Sequence, residues 1–193
     1  MNWLSNLFWD DRDRVVFLID GLRSEEKHLA HLFRDERMTT ALNSLTSTLD
    51  EIRTRERRLN AKDHRRIRKF IGESFSISYT QKVELFQSLL QKGFKTVLCN
   101  GEADHYVSQM VDVTVLACDS DFFCHGNVTT VLEPFIQRNQ LYVRSTAKVD
   151  ILKQLHIREP ILRALGIISG NDYSPNKRNY GVSRNLDILK YVG

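Results

Sequence analysis

Long apolar runs are missing from this sequence, and so is any disulfide framework. Of 193 residues only three are cysteine (Cys99, Cys118 and Cys124), too few and too unevenly spaced to staple a secreted fold. Nothing approaches the roughly 18 consecutive apolar residues that a membrane-spanning helix needs, and mean hydropathy is −0.36. The opening MNWLSNLFWDDRDR lacks a basic start, an apolar core and a small-residue cleavage site, so no secretory signal is expected. There is no internal repeat, no low-complexity linker, no phosphate-cradling glycine loop and no Ser-His-Asp arrangement. These absences leave an intracellular, reduced chain of about one domain, with no membrane partner.

The charge is unevenly spread. The net +4 hides a basic block from Arg53 to Lys69 that holds nine Lys/Arg and two acids, a local +7. The remaining chain carries 19 bases against 22 acids. A cationic segment on a mildly acidic body suits a polyanionic partner such as nucleic acid, although a lone charge run is more often a solvated helix face.

Hydrophobic patterning alternates between strand and helix. VVFLID (15–20), KTVLCN (95–100) and VTVLACD (113–119) read as short buried strands, and QLYVRS (140–145) as a further one. Leu42, Leu45, Leu49 and Ile52 recur at helical steps. Asn60 and Asp63 mark a break before a second, basic helix to about residue 71. A helix is expected over 80–92 with Gly93 as its stop, and others near 148–155, 158–169 and 183–191. Pro160 is tolerable in a first turn. The alternation implies an α/β fold with a largely parallel sheet.

In such sheets ligand sites gather at the carboxyl ends of the strands. Asp20 closes the first strand, Glu102 and Asp104 follow the second, and Asp119 and Asp121 end the third. Asp172, in a Gly-Asn-Asp-Tyr turn, is placed to reach the same edge. Singly, such acids are usually turn or cap residues. Converging together they would repel unless a cation lay among them. Mg²⁺ or Mn²⁺ suits oxygen ligands, and two such ions about 4 Å apart support phosphodiester hydrolysis. Cys118, Cys124 and His125 match no usual zinc spacing. His105 reads as an exposed helix residue, and Phe122 and Phe123 as core.

These motifs together resemble the flap endonuclease/XPG family of structure-specific 5′ nucleases, from about Val15 to Val192. Asp20-Gly21 is followed by Lys27 and Arg34 at offsets of seven and fourteen. Gly101-Glu102-Ala103-Asp104 is similar to the family's Glu-Ala-Glu-Ala motif. Asp119-Ser120-Asp121-Phe122-Phe123 with Gly126, and Gly170-Asn171-Asp172-Tyr173, resemble its later motifs.

The resemblance implies a PIN-like α/β core over 14–36 and 72–146, a basic helical arch over 37–71, and a helix–two-turn–helix DNA grip over 147–193. It implies that Asp20 and Asp104 hold a first metal, with Glu102 acting through water, and that Asp119 and Asp121 hold a second, supported by Asp172. Lys27 and Arg34 would neutralise the scissile phosphate. Arg53, Arg57, Arg58, Arg65, Arg66 and Lys69 would track a strand, while Tyr180, Gly181 and Arg184 would meet duplex phosphates beside K⁺. The implied activity is cleavage of flapped or branched DNA by a nuclear monomer, with RNA left open.

The chain also departs from the family. The usual first strand and its aspartate have no counterpart ahead of Asp20, since Asp10, Asp11 and Asp13 lie in a polar segment; a fragment, an incomplete gene model or a reduced homologue is expected. Asp104 stands for the usual glutamate, and Asn179-Tyr180-Gly181-Val182-Ser183 for Gly-Ile-Gly-Pro-Lys. No sliding-clamp peptide is visible. The competing expectation is a nuclease-like module that binds nucleic acid or a protein and has lost cleavage.

Overall fold

A computed structural model describes residues 13–23, 25–55, 58–169 and 180–192. Arg57 and the motif 170–173, with Asp172, lie outside the described residues. The chain divides into two compact units: 1–17 with 21–98, and 18–20 with 99–193. Among the described residues no helix is long and apolar enough to cross a membrane.

The first unit is mainly helical. After β1 (Val16–Ile19), whose Leu18 and Ile19 belong to the second unit, and a 3₁₀ turn (Glu25–Lys27) come α1 (His28–Thr54), α2 (Ala61–Ser74), α3 (Tyr79–Gln91) and β2 (Lys95–Leu98). β1 and β2 form a two-stranded sheet. The break expected at Asn60 is a capping box. Asn60 Oδ1 accepts from the amides of Lys62 and Asp63 at 2.9 and 3.0 Å, and Asp63 Oδ2 accepts from the Asn60 amide at 3.1 Å. Ser78 and Gln81 start α3 in the same way. Gly93, at φ +80°, follows the end of α3 as expected.

α1 is longer than the leucine spacing suggests, and its buried residues differ. Leu42 and Leu49 are exposed, whereas Ala41 and Thr48 are buried. Small side chains seven residues apart let α2 pack closely, and Arg66 of α2 donates to Thr48 Oγ1 at 3.1 Å and to Glu51 at 3.1 Å. At the base of the unit, Phe17 meets Phe94 edge-on at 5.2 Å.

The second unit carries the acidic strand ends. It holds α4 (Ala103–Ser108), β3 (Val113–Leu116), a 3₁₀ turn (Ser120–Cys124), β4 (Val128–Gln137), β5 (Gln140–Ala147), α5 (Lys148–Leu155), α6 (Glu159–Ile168) and α7 (Val182–Val192). β3 pairs parallel with β4, and β4 pairs antiparallel with β5. The core is Val107, Phe122, Val128 and Val131, with Leu18, Val113, Val115, Ala117 and Phe123 packed against it. Phe122 and Phe123 are thus core residues, as expected.

β4 has no counterpart in the sequence-based expectations, because Pro134 lowers the strand signal. The proline is tolerated because pairing to β3 stops at Leu132, so it removes no bond to that neighbour. Arg138 and Asn139, with φ of 50° and 61°, make a two-residue hairpin turn.

α5 ends in the left-handed residue His156 (φ 52°). α6 starts at Glu159 with Pro160 in its first turn, as expected. The buried Lys148 donates to the carbonyl of His125 and to Glu159 Oε1 at 3.4 Å. Arg163 donates to the same Glu159 oxygen at 2.9 Å. The hydrogen bond from Arg163, aided by the Lys148 charge, holds the Glu159 carboxyl below the usual glutamate range. Gly166 sits where a Cβ would overlap the Cys124 sulfur.

Two outcomes follow from this packing. Glu159 is lowered on folding, so its stabilisation is present above about pH 4.3 and is lost as pH falls through the lowered value. The difference in Tm between wild type and Glu159→Gln should stay constant from about pH 7 to pH 5 and close below about pH 4. Gly166→Ala should cost about 1–3 kcal/mol in urea unfolding, with part of the loss recovered by Cys124→Ala.

Candidate catalytic carboxylates at the strand ends

Each acid follows a strand for a local reason. β1 runs out at Ile19, whose carbonyl accepts from the Cys99 amide at 2.9 Å, so Asp20 emerges beside the residues after β2. There the Ala103 amide donates to Asp20 Oδ1 at 2.8 Å. Ala103 opens α4, with Glu102 before it and Asp104 after it. Asp20 therefore satisfies one of the amides that a helix start leaves without an intrahelical partner. Gly101 reaches this point at φ +105°, a conformation that other residues rarely adopt.

The third strand end is built separately. Asp119 caps the 3₁₀ turn 120–124, its Oδ1 accepting from the Asp121 amide at 2.9 Å. The Asp-x-Asp spacing is thus also what a capped turn requires, and the turn is fastened from below by Phe122 in the core. Asp20, Asp119 and Asp121 are exposed, while Glu102 and Asp104 are half-buried.

The acids are felt by two nearby thiols. Burial pushes the Cys124 thiol up, and Asp121 and then Asp119 add to that rise. Burial also pushes up Cys99, with Asp20 adding. Cys118 and Cys124 turn to different carbonyls, those of Pro134 and Leu162. His105 is exposed on α4 beside Gln109 at 3.0 Å, as expected.

In kind, five carboxylates suit a hard divalent cation. In arrangement they do not: among the described residues no three His, Cys, Asp or Glu side chains gather closely enough to hold one. The expected convergence on one point is not seen among the described residues, and Asp172 lies outside them.

The cations fall as follows. Lys27 is buried at 8% exposure in the 3₁₀ turn before α1, and Arg34 is exposed on α1; both belong to the first unit. Arg53, Arg65 and Lys69 are exposed near the α1 end or on α2, and Arg58 lies between those helices. Arg66 is committed to Glu51 and Thr48, and Arg55 also pairs with Glu51. In the second unit the Arg184 guanidinium lies over the Tyr180 ring, 4.7 Å from its centroid, and Gly181 is exposed beside them. Asn185, buried, donates to Ile168 O, Ser169 Oγ and Tyr180 O and so ties the start of α7 to the end of α6.

Lys148 was not among the expected site residues. It holds the carbonyl of His125, directly after the turn that bears Asp121. A lysine at a helix start normally signals a solvated charge, so only the Glu159/Arg163 spacing of four hinted at this network.

No protein-family model matches the chain, and no curated protein matches it. Solved structures do. One is the catalytic core of Rad2 in complex with DNA substrate, at TM-score 0.55 and 17% identity over 91% of this chain and 45% of that one. A second Rad2 complex gives 0.54 and 16%, over 97% and 58%. Human GEN1 in complex with Holliday junction DNA overlaps at 0.48 and 20%, over 97% and 43%. The chain spans about half the length of the Rad2 cores it matches. It has the fold of the Rad2 catalytic core, which is the PIN-like α/β fold that the flap endonuclease/XPG resemblance implies.

The Asp20 bond is directly testable. Asp20→Asn keeps an acceptor for the Ala103 amide and should unfold in urea within about 0.5 kcal/mol of wild type, whereas Asp20→Ala should lose about 1 kcal/mol more.

Proposed function

We propose that this chain is a nuclease of the flap endonuclease/XPG type, hydrolysing DNA phosphodiesters near single-strand/duplex junctions in the presence of Mg²⁺ or Mn²⁺. The observation that carries the reading is an acid after each of three strands, Asp20, Glu102 with Asp104, and Asp119 with Asp121, in the fold of a DNA-bound nuclease core. Five carboxylates beside a polyanion weaken binding by repulsion, so a module that only held DNA would gain nothing from them.

The finer assignments belong to the same proposal. Asp20 and Asp119 each commit one oxygen to an amide, which fixes the carboxylate plane and leaves the second oxygen outside that bond. Glu102, Asp104, Asp121 and Asp172 complete the acidic set, and two ions are the expected complement. Lys27 and Arg34 are assigned to the scissile phosphate, where positive charge would stabilise the transition state. Residues 14–36 with 72–146 form the core in this reading. The segment 37–71 is the arch, which tracks a strand's backbone through Arg53, Arg57, Arg58, Arg65 and Lys69. The segment 147–193, with Tyr180, Gly181 and Arg184, grips duplex beside K⁺. The proposed setting is the nucleus, with flapped or branched DNA as partner.

One observation favours a second reading, a nuclease-like module that binds without cutting: no three described ligands gather.

Cleavage of a labelled 5′-flap DNA in Mg²⁺ or Mn²⁺, with Asp119→Ala as control, separates the two. Metal-dependent cutting near the junction that disappears in Asp119→Ala is expected. A folded chain that retains the flap without cutting it would establish the binding module instead.

A further inference from the structure

The second unit has a groove that the acids and the basic block do not involve. It lies among α5, α6 and α7 and has a volume of about 780 Å³. Its walls are Val149, Leu152, Ile157 and Ile161, and around them stand Lys153, His156, Arg158 and Lys190. Val149 is 52% exposed, Leu152 and Ile161 are half-buried and Ile157 is buried, so the apolar wall is most open at Val149. None of the lining side chains is acidic. Two carboxylates adjoin lining residues in sequence: Asp150 is exposed on α5, and Glu159 is drawn away to Lys148 and Arg163.

Its position separates it from the α6–α7 connection. Asn185 joins the start of α7 to the end of α6, whereas Lys190, near the end of α7, shares the groove with Arg158 and Ile161 at the start of α6. The two helices are therefore antiparallel, and the groove is at the end opposite the connection. That end is about one α6 length, roughly 15 Å, away.

We propose that this groove docks an acidic amphipathic helix of a partner protein. Leucine-like side chains at helical spacing fill the Val149–Ile161 floor, and flanking Glu or Asp meet the cationic rim. The floor decides against nucleic acid. Its aliphatic side chains offer no ring on which a base could stack, and a phosphate backbone would leave Val149 and the half-buried Leu152 and Ile161 uncovered. Charge of one sign around an apolar groove gives the partner its sign, its orientation and a fast encounter.

The test uses the full chain, ¹⁵N-labelled, and a fluorescent synthetic peptide with Leu at i, i+3, i+4 and i+7 and Glu elsewhere. Binding should shift amides of Val149, Leu152, Lys153 and Lys190, and should weaken about tenfold when the leucines become serine. The charge-reversed double variant Lys153→Glu/Lys190→Glu should lose about tenfold or more. Val149→Ser, at an exposed position, should weaken binding without changing charge or far-UV circular dichroism. Three results would overturn the proposal: no binding; binding indifferent to the Leu→Ser change, meaning charge attraction alone; or displacement of the peptide by a single-stranded oligonucleotide whose affinity falls in the same double variant. None of these readouts depends on flap cleavage.

Discussion

A lysine ammonium buried in the second unit is the constraint on which the arrangement of that unit turns. Taking Lys148 out of water is costly unless its protons find acceptors. It finds the His125 carbonyl, at the close of the turn that follows β3, and the Glu159 carboxylate, at the start of α6. One side chain at the head of α5 thus joins that helix to the turn after β3 and to the start of α6. Arg163 shares the carboxylate, and Gly126, lacking a Cβ, gives that guanidinium room. Asp119 and Asp121 stand on a turn held from one side by Phe122 in the core and from the other by this network.

Polar joints recur in the first unit. The α1–α2 pair buries Thr48 and Asp63 and locks Arg66 between Glu51 and the Thr48 hydroxyl. Part of the basic block is therefore internal architecture. A formal charge count treats all nine bases alike, yet Arg55 and Arg66 both spend their charge on Glu51. The cationic surface of this hairpin is smaller than its composition implies.

Local chemistry was the most readable part of the sequence. β1, β2 and β3 are short β-branched runs ended by polar residues, Asn60 is a helix cap, Gly93 stops α3, and α5 to α7 fall close to their expected limits. Each of these depends on neighbours within a few residues. β4 was hidden because a proline reads as a breaker unless the neighbouring strand is known to have ended. The buried seam of α1 was hidden because Ala41 and Thr48 carry less pattern than the leucines, of which Leu42 and Leu49 stay exposed. Placing the acids at strand ends needed only the strands. Whether five carboxylates meet depends on side-chain positions that no spacing encodes, and among the described residues no three of them gather.

The hairpin between β4 and β5 bears on what the chain can tolerate. Its two turn residues set Gln137 opposite Gln140, Phe135 opposite Tyr142 and Glu133 opposite Arg144. That register stacks Phe135 on Tyr142 at 5.5 Å and lays Arg144 over Phe135 while it pairs with Glu133. Side chains alternate across a strand, so a slip of one residue would carry Tyr142 and Arg144 to the opposite face together. The sequence of this turn can drift among residues that accept a positive φ, but its length is a heritable constraint, closed to single-residue insertion and deletion.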